Sequence, residues 1–134
     1  MRTSILVVDD DPAVRRVYED HFTTAGFRVR GAATLRDARA LLEARVFDAV
    51  IVDVSLTRHG HEGLAVADLV LKLSGARPVL VLTAYGQPGY ARAAAALRAD
   101  AFLHKPVSLA WLQRMLLAHI AERADARVVA VPVH

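Results

Sequence analysis

The stretch Asp48-Ala49-Val50-Ile51-Val52-Asp53-Val54-Ser55-Leu56 decides how the chain folds. Four consecutive apolar residues, 49–52, run into a single acid, Asp53. A run of this kind, rich in β-branched residues, suits a strand buried on both faces of a parallel sheet. An aspartate at the carboxyl end of such a strand sits at the rim where open α/β sheets receive ligands. Three other stretches are built alike. Ile5-Leu6-Val7-Val8 ends in Asp9-Asp10-Asp11, Val79-Leu80-Val81-Leu82 ends in Thr83, and Ala101-Phe102-Leu103-His104 ends in Lys105-Pro106. If these strands lie parallel, the carboxylates, the Thr83 hydroxyl and the Lys105 ammonium converge on one edge.

Helical patterns alternate with these strands. Asp11-Pro12 reads as a helix N-cap followed by proline at the first helical position. Val14, Val17, Tyr18 and Phe22 then recur on one face, and Gly26 supplies the stop. Residues 27–31 alternate apolar and basic, as an edge strand does. Thr34 and Asp37 resemble a capping box for a helix that buries Leu35, Ala38, Leu41 and Leu42. Further helices are expected over residues 64–73 and about 89–97, and Ser108 caps a last one whose Leu109, Leu112, Leu116 and Ile120 form a stripe. Five such units without repeat or linker imply one α/β domain, a three-layer sandwich over residues 1–124. The tail, 125–134, has no assigned place.

Composition narrows the function. No apolar run reaches the roughly 18–20 residues that span a bilayer, and the start shows no secretory pattern. The chain has no cysteine, which excludes disulfides and thiolate metal sites and fits a cytoplasmic protein. The net charge of +3 comes from basic residues scattered along the chain. That scatter fits solvated helix faces rather than a nucleic-acid surface.

The acid pair Asp9-Asp10, the strand-end Asp53, Thr83-Ala84 and Lys105-Pro106, in this order and spacing, resemble the receiver domain of two-component response regulators over residues 4–123. Gly26, Asp48, Gly63 and Leu112 are weaker matches. The resemblance implies a flavodoxin-like, five-stranded parallel sheet of order 2-1-3-4-5. It also implies a phosphoacceptor role for Asp53, with a sensor histidine kinase or a histidine phosphotransfer protein as donor. The chemistry suits these residues. A carboxylate attacking a phosphoryl group needs the repulsion between two anions neutralised. Asp10 and Asp53 are hard oxygen ligands of the kind Mg²⁺ takes; by resemblance the Ser55 carbonyl adds a third, and Asp9 acts through a bound water. Lys105 would pair with the phosphoryl oxygens, and Thr83 would donate its hydroxyl to one of them. Pro106, by resemblance, follows a cis peptide bond. Thr83 and Phe102 would form a switch that remodels the surface of helix four, strand five and helix five, where a homodimer can form. Trp111 lies near the outward edge of the last helix and is expected on or beside that surface.

The chain departs from the family in places. Asp53 and Gly63 lie ten positions apart, about two more than the commonest receiver pattern. Thr57 stands where a proline is frequent, Arg98 where glycine ends the fourth helix, and Phe102 where a tyrosine is frequent. Two other functions bear comparison. A haloacid-dehalogenase-like phosphatase shares the Asp nucleophile, Mg²⁺ and Lys, but needs an acid two residues after the nucleophile, where this chain has Ser55. A pseudo-receiver that never takes phosphate fits poorly with intact Asp10, Asp53, Thr83 and Lys105. The chain is therefore expected to act as a switch rather than an enzyme, touching neither nucleic acid nor membrane. His59 and His61 lack a third anchored ligand, and Asp11 serves only as a cap.

Overall fold

A computed structural model describes residues 2–54, 68–73, 77–83 and 101–130. The expected helix over 89–97, the first part of that over 64–73, the loop 57–62, Ser55 and Ala84 lie outside these residues. The strands are β1 (Ser4–Val8), β2 (Arg28–Ala32), β3 (Ala49–Val54), β4 (Val79–Thr83) and β5 (Ala101–His104). They form one parallel sheet of order β2-β1-β3-β4-β5. The fold is thus the expected flavodoxin-like one, with β2 starting one residue later than the sequence pattern places it.

Strand parity separates the core into two layers. Leu6, Val8, Val50, Val52, Val79 and Val81 face α2 (Leu35–Ala44) and the helical residues 68–73. Ile5, Val7, Ala49, Ile51, Leu80 and Leu82 face α1 (Pro12–Thr24) and the C-terminal helix (Leu109–Ala130). Side chains two apart on a strand share a face, so Asp53 belongs with Ile51 and lies toward α1. That parity matters for the site.

The helix signals act as their chemistry requires. The Asp11 carboxylate accepts from the N–H groups of Ala13 and Val14, and Pro12 opens α1. Gly26 has a φ of 96°, a conformation that glycine adopts without steric cost. In α2 the Thr34 hydroxyl accepts from the Asp37 N–H at 3.1 Å, and in the C-terminal helix Ser108 Oγ accepts from the Trp111 N–H at 3.0 Å. Asp48 ties the amino ends of two strands together. Its carboxylate accepts from the Ser4 N–H at 2.8 Å, and its own N–H donates to the Ser4 carbonyl at 2.7 Å.

Two expectations need correction. Val17 is 54% exposed; it falls beyond the edge of the α1 stripe, and only Tyr18 and Phe22 of that helix are buried. The C-terminal helix continues to Ala130, through residues assigned from sequence to the tail. Ala121, Glu122, Arg123, Ala124 and Ala126 are strong helix formers, and no helix breaker intervenes before Pro132. Trp111 is partly exposed on this helix, as its place one step from the buried Leu112 dictates.

Candidate functional site

Four strand ends and the middle of α1 build the site. Asp53 pairs in register with Leu82, and Val54 with Thr83, so the acid and the hydroxyl sit at adjacent strand ends. Thr83 is paired in turn with His104, and its carbonyl accepts from the Lys105 N–H at 2.8 Å. The Lys105–Pro106 peptide bond is cis, as the family resemblance implies. The Lys105 ammonium forms an ion pair with Asp53 Oδ2. Burial differs sharply between the partners: the Asp53 side chain is 2% exposed and that of Lys105 28% exposed. The carboxylate is fixed inside the protein while its counter-ion reaches solvent.

Asp9 is also buried, at 2% exposure, whereas the neighbouring Asp10 is exposed. The Asp9 backbone is held on both sides. Its N–H donates to the Ala32 carbonyl at 3.0 Å, and its carbonyl accepts from Arg15 Nη1 at 2.8 Å. Of its carboxylate oxygens, Oδ1 accepts from the Asp11 N–H at 2.9 Å, and Oδ2 is buried with no hydrogen-bond partner among the described residues. Burial pushes the Asp9 carboxyl up to about 7, and the Asp53 charge adds to this, against the lowering effect of the Asp11 N–H and of Lys105.

An unpaired, buried carboxylate oxygen costs free energy unless a cation or donor reaches it. The donor set of Asp9, Asp10 and Asp53, all hard oxygens at one sheet edge, fits a divalent cation such as Mg²⁺ or Ca²⁺. Among the described residues no three acidic or histidine side chains are already gathered at metal-holding geometry. Exposed Asp10 and the solvent side of the site leave a cation to complete its shell with water, as Mg²⁺ prefers.

One contact was not anticipated from sequence. The Tyr18 hydroxyl donates to Asp53 Oδ2 at 2.7 Å, and this bond is buried. Tyr18 was read only as an apolar position of α1. Burial, followed by the hydrogen bond to Asp53, raises the hydroxyl well above the usual tyrosine range and keeps it a donor. The signal was available, because a tyrosine in a buried stripe needs a partner for its hydroxyl, and strand parity turns Asp53 toward α1.

The fold and its carboxyl edge define an open parallel α/β protein with buried acids at the end of the sheet where such folds bind ligands. The chain matches the response regulator receiver domain model over residues 5–117 and belongs to that family; it is a receiver domain of two-component response regulators. It is 33% identical to the transcriptional activator protein PfeR of Pseudomonas aeruginosa, across 93% of this chain and 43% of that protein. To the response regulator protein PilR of the same organism it is 31% identical, across 86% of this chain and 25% of that protein. The chain thus spans less than half the length of these curated relatives. A receiver domain structure from Methanospirillum hungatei superposes with a TM-score of 0.82 at 24% identity, covering 94% of this chain and 99% of that one; at that identity the likeness shows the fold. A response regulator structure from Burkholderia pseudomallei is 26% identical with a TM-score of 0.74, covering 98% of this chain and 76% of its own. That structure holds a phosphorylated aspartic acid, a calcium ion and citrate.

Proposed function

We propose that this domain is a phosphoacceptor switch in which Asp53 takes a phosphoryl group from the phosphohistidine of a sensor histidine kinase or a histidine phosphotransfer protein. The observation that carries this is the buried Asp53 carboxylate paired with Lys105, beside an Asp9 oxygen that has no partner. An Asp53 oxygen would attack phosphorus while the phosphorus–nitrogen bond breaks and its electron pair returns to the imidazole. Lys105, attached at the rim, would follow the incoming phosphoryl oxygens and neutralise charge where it gathers.

Asp10 and Asp53, with the Ser55 carbonyl, are the proposed ligands of Mg²⁺, and Asp9 would hold one of its waters. When bound, the ion screens the anionic donor from the carboxylates. The phosphorylated aspartic acid and calcium ion of the Burkholderia pseudomallei relative support the acceptor role and a divalent cation of this class. Thr83, wholly buried at the end of β4, would turn its hydroxyl toward the new anion. Phe102, whose backbone pairs with Val81, would carry the change to the surface that the family resemblance assigns to the expected helix at 89–97, β5 and the C-terminal helix, for a partner or a second copy. The domain accepts phosphate stoichiometrically and turns over no separate substrate, so it is a switch and not an enzyme. A cytoplasmic location and the absence of direct nucleic-acid or membrane contact go with a kinase as partner.

Acetyl phosphate with Mg²⁺ should add one phosphoryl mass to the wild type and none to Asp53→Asn. Intact-mass measurement reads this directly. An equal adduct on the variant would overturn the assignment.

A further inference from the structure

Two donors meet at Asp53 Oδ2, and they differ in origin. Lys105 comes from the rim, with a quarter of its side chain in solvent, and is free to follow a phosphoryl group outward. Tyr18 comes from beneath. It is 5% exposed, packs in the same core layer as Phe22, Leu112 and Leu116, and reaches the carboxylate from α1. After phosphorylation Lys105 would leave for the phosphoryl oxygens, and the tyrosine hydroxyl would stay with the carboxyl group because the core holds its ring. The phosphoacceptor chemistry of Asp53 gives Lys105 and the metal ligands roles, and gives Tyr18 none.

We propose that the Tyr18 hydroxyl sets the lifetime of the acyl phosphate on Asp53, by stabilising the carboxylate that hydrolysis releases. This rests on Asp53 being the phosphoacceptor. In hydrolysis a water oxygen attacks phosphorus and the bond from phosphorus to the Asp53 carboxyl oxygen breaks. The electron pair stays on the carboxyl group, and phosphate departs as H₂PO₄⁻, carrying both hydrogens of the water. The carboxyl group is uncharged in the acyl phosphate and an anion in the product. A hydroxyl donates more strongly to an ionised acceptor than to a neutral one, so the Tyr18 bond tightens as the phosphorus–oxygen bond lengthens. An interaction stronger in the transition state than in the ground state accelerates the step. Either carboxyl oxygen can carry the phosphoryl group with the same result, since the charge returned by hydrolysis is shared by both.

The test uses the whole domain. Wild type, Tyr18→Phe and Asp53→Asn are treated with acetyl phosphate and Mg²⁺, the donor is removed, and the adduct is followed by intact mass. Tyr18→Phe should take up phosphate and lose it about three- to tenfold more slowly than wild type. A chain carrying 3-fluorotyrosine at position 18, a stronger donor of nearly the same size, should lose it faster than wild type. Opposite movements of these two chains are beyond what a purely structural role produces. Equal or faster decay in Tyr18→Phe would overturn the proposal while leaving Asp53 as acceptor. Absence of an adduct on wild type, or an equal one on Asp53→Asn, would overturn the acceptor assignment itself. Should Tyr18→Phe lose its far-ultraviolet helix signal, the fluorotyrosine chain decides: faster decay supports the role, and unchanged or slower decay refutes it.

Discussion

Replacing Asp9 by asparagine should make the metal-free domain more stable at pH 8, although it removes a residue of the functional site. The carboxyl is 2% exposed, and its Oδ2 has no hydrogen-bond partner among the described residues. Burial moves its titration from 3.8 to about 7. At 1.36 kcal/mol per pKa unit, a shift of this size opposes folding by about 4 kcal/mol once the group is ionised in both states. The unfolded chain releases its proton near 3.8 while the folded chain keeps it until about 7. The folded state therefore binds more protons, and this group lowers stability as pH rises through that window. Below it the penalty is absent, and above it the penalty is complete. Asparagine keeps an oxygen for the Asp11 N–H but leaves an amide N–H₂ to satisfy, at a cost of about 1–3 kcal/mol. The net gain should be about 1–3 kcal/mol at pH 8 and close to nothing at pH 5. Urea unfolding in EDTA at the two pH values measures it. Added Mg²⁺ should stabilise wild type more than the variant, since a ligand that binds only the folded state adds to its stability. A variant less stable than wild type at pH 8 in EDTA would refute the idea that Asp9 is held at a cost for the sake of a cation.

Two further outcomes concern the C-terminal helix. Trp111→Ala should leave phosphate uptake intact while weakening association with a partner or second copy, and Trp111 fluorescence should change on phosphorylation; the side chain is 37% exposed, and unfolding of this variant would place it in the core instead. Leu112→Ala, at a fully buried position, should cost about 2–5 kcal/mol, read as a lower urea midpoint at unchanged slope.

Most of the architecture could be read from the chain because its strands are short apolar runs that end in chemistry-bearing residues. Asp9, Asp53, Thr83 and Lys105 stand where β1, β3, β4 and β5 end, so parallel pairing alone gathers them. Caps at Asp11, Thr34 and Ser108 were legible for a different reason: side-chain oxygens that accept from nearby N–H groups act locally, whatever the tertiary context. Contacts between distant elements were harder to read. The Tyr18–Asp53 bond joins residues 35 positions apart, and helical periodicity ranks tyrosine with its apolar neighbours without showing where its hydroxyl goes. Val17 failed for a related reason, since a stripe read at helical spacing has no sharp edge. The C-terminal helix outran its expected end because its last turns lack an apolar stripe, although their propensity for helix is high.

The alternation of side chains along β3 has a consequence for how such a domain can diverge. Val50 and Val52 belong to one core layer, while Ile51 and Asp53 face the other, the layer that also contains Tyr18, Phe22, Leu112 and Leu116. Substitutions behind the first layer should alter stability while leaving the face that carries Asp53 intact. Substitutions behind the second would displace the Tyr18 ring, whose hydroxyl bonds Asp53. If Tyr18 times the acyl phosphate as proposed, a lineage could adjust how long a signal persists through buried residues of that second layer.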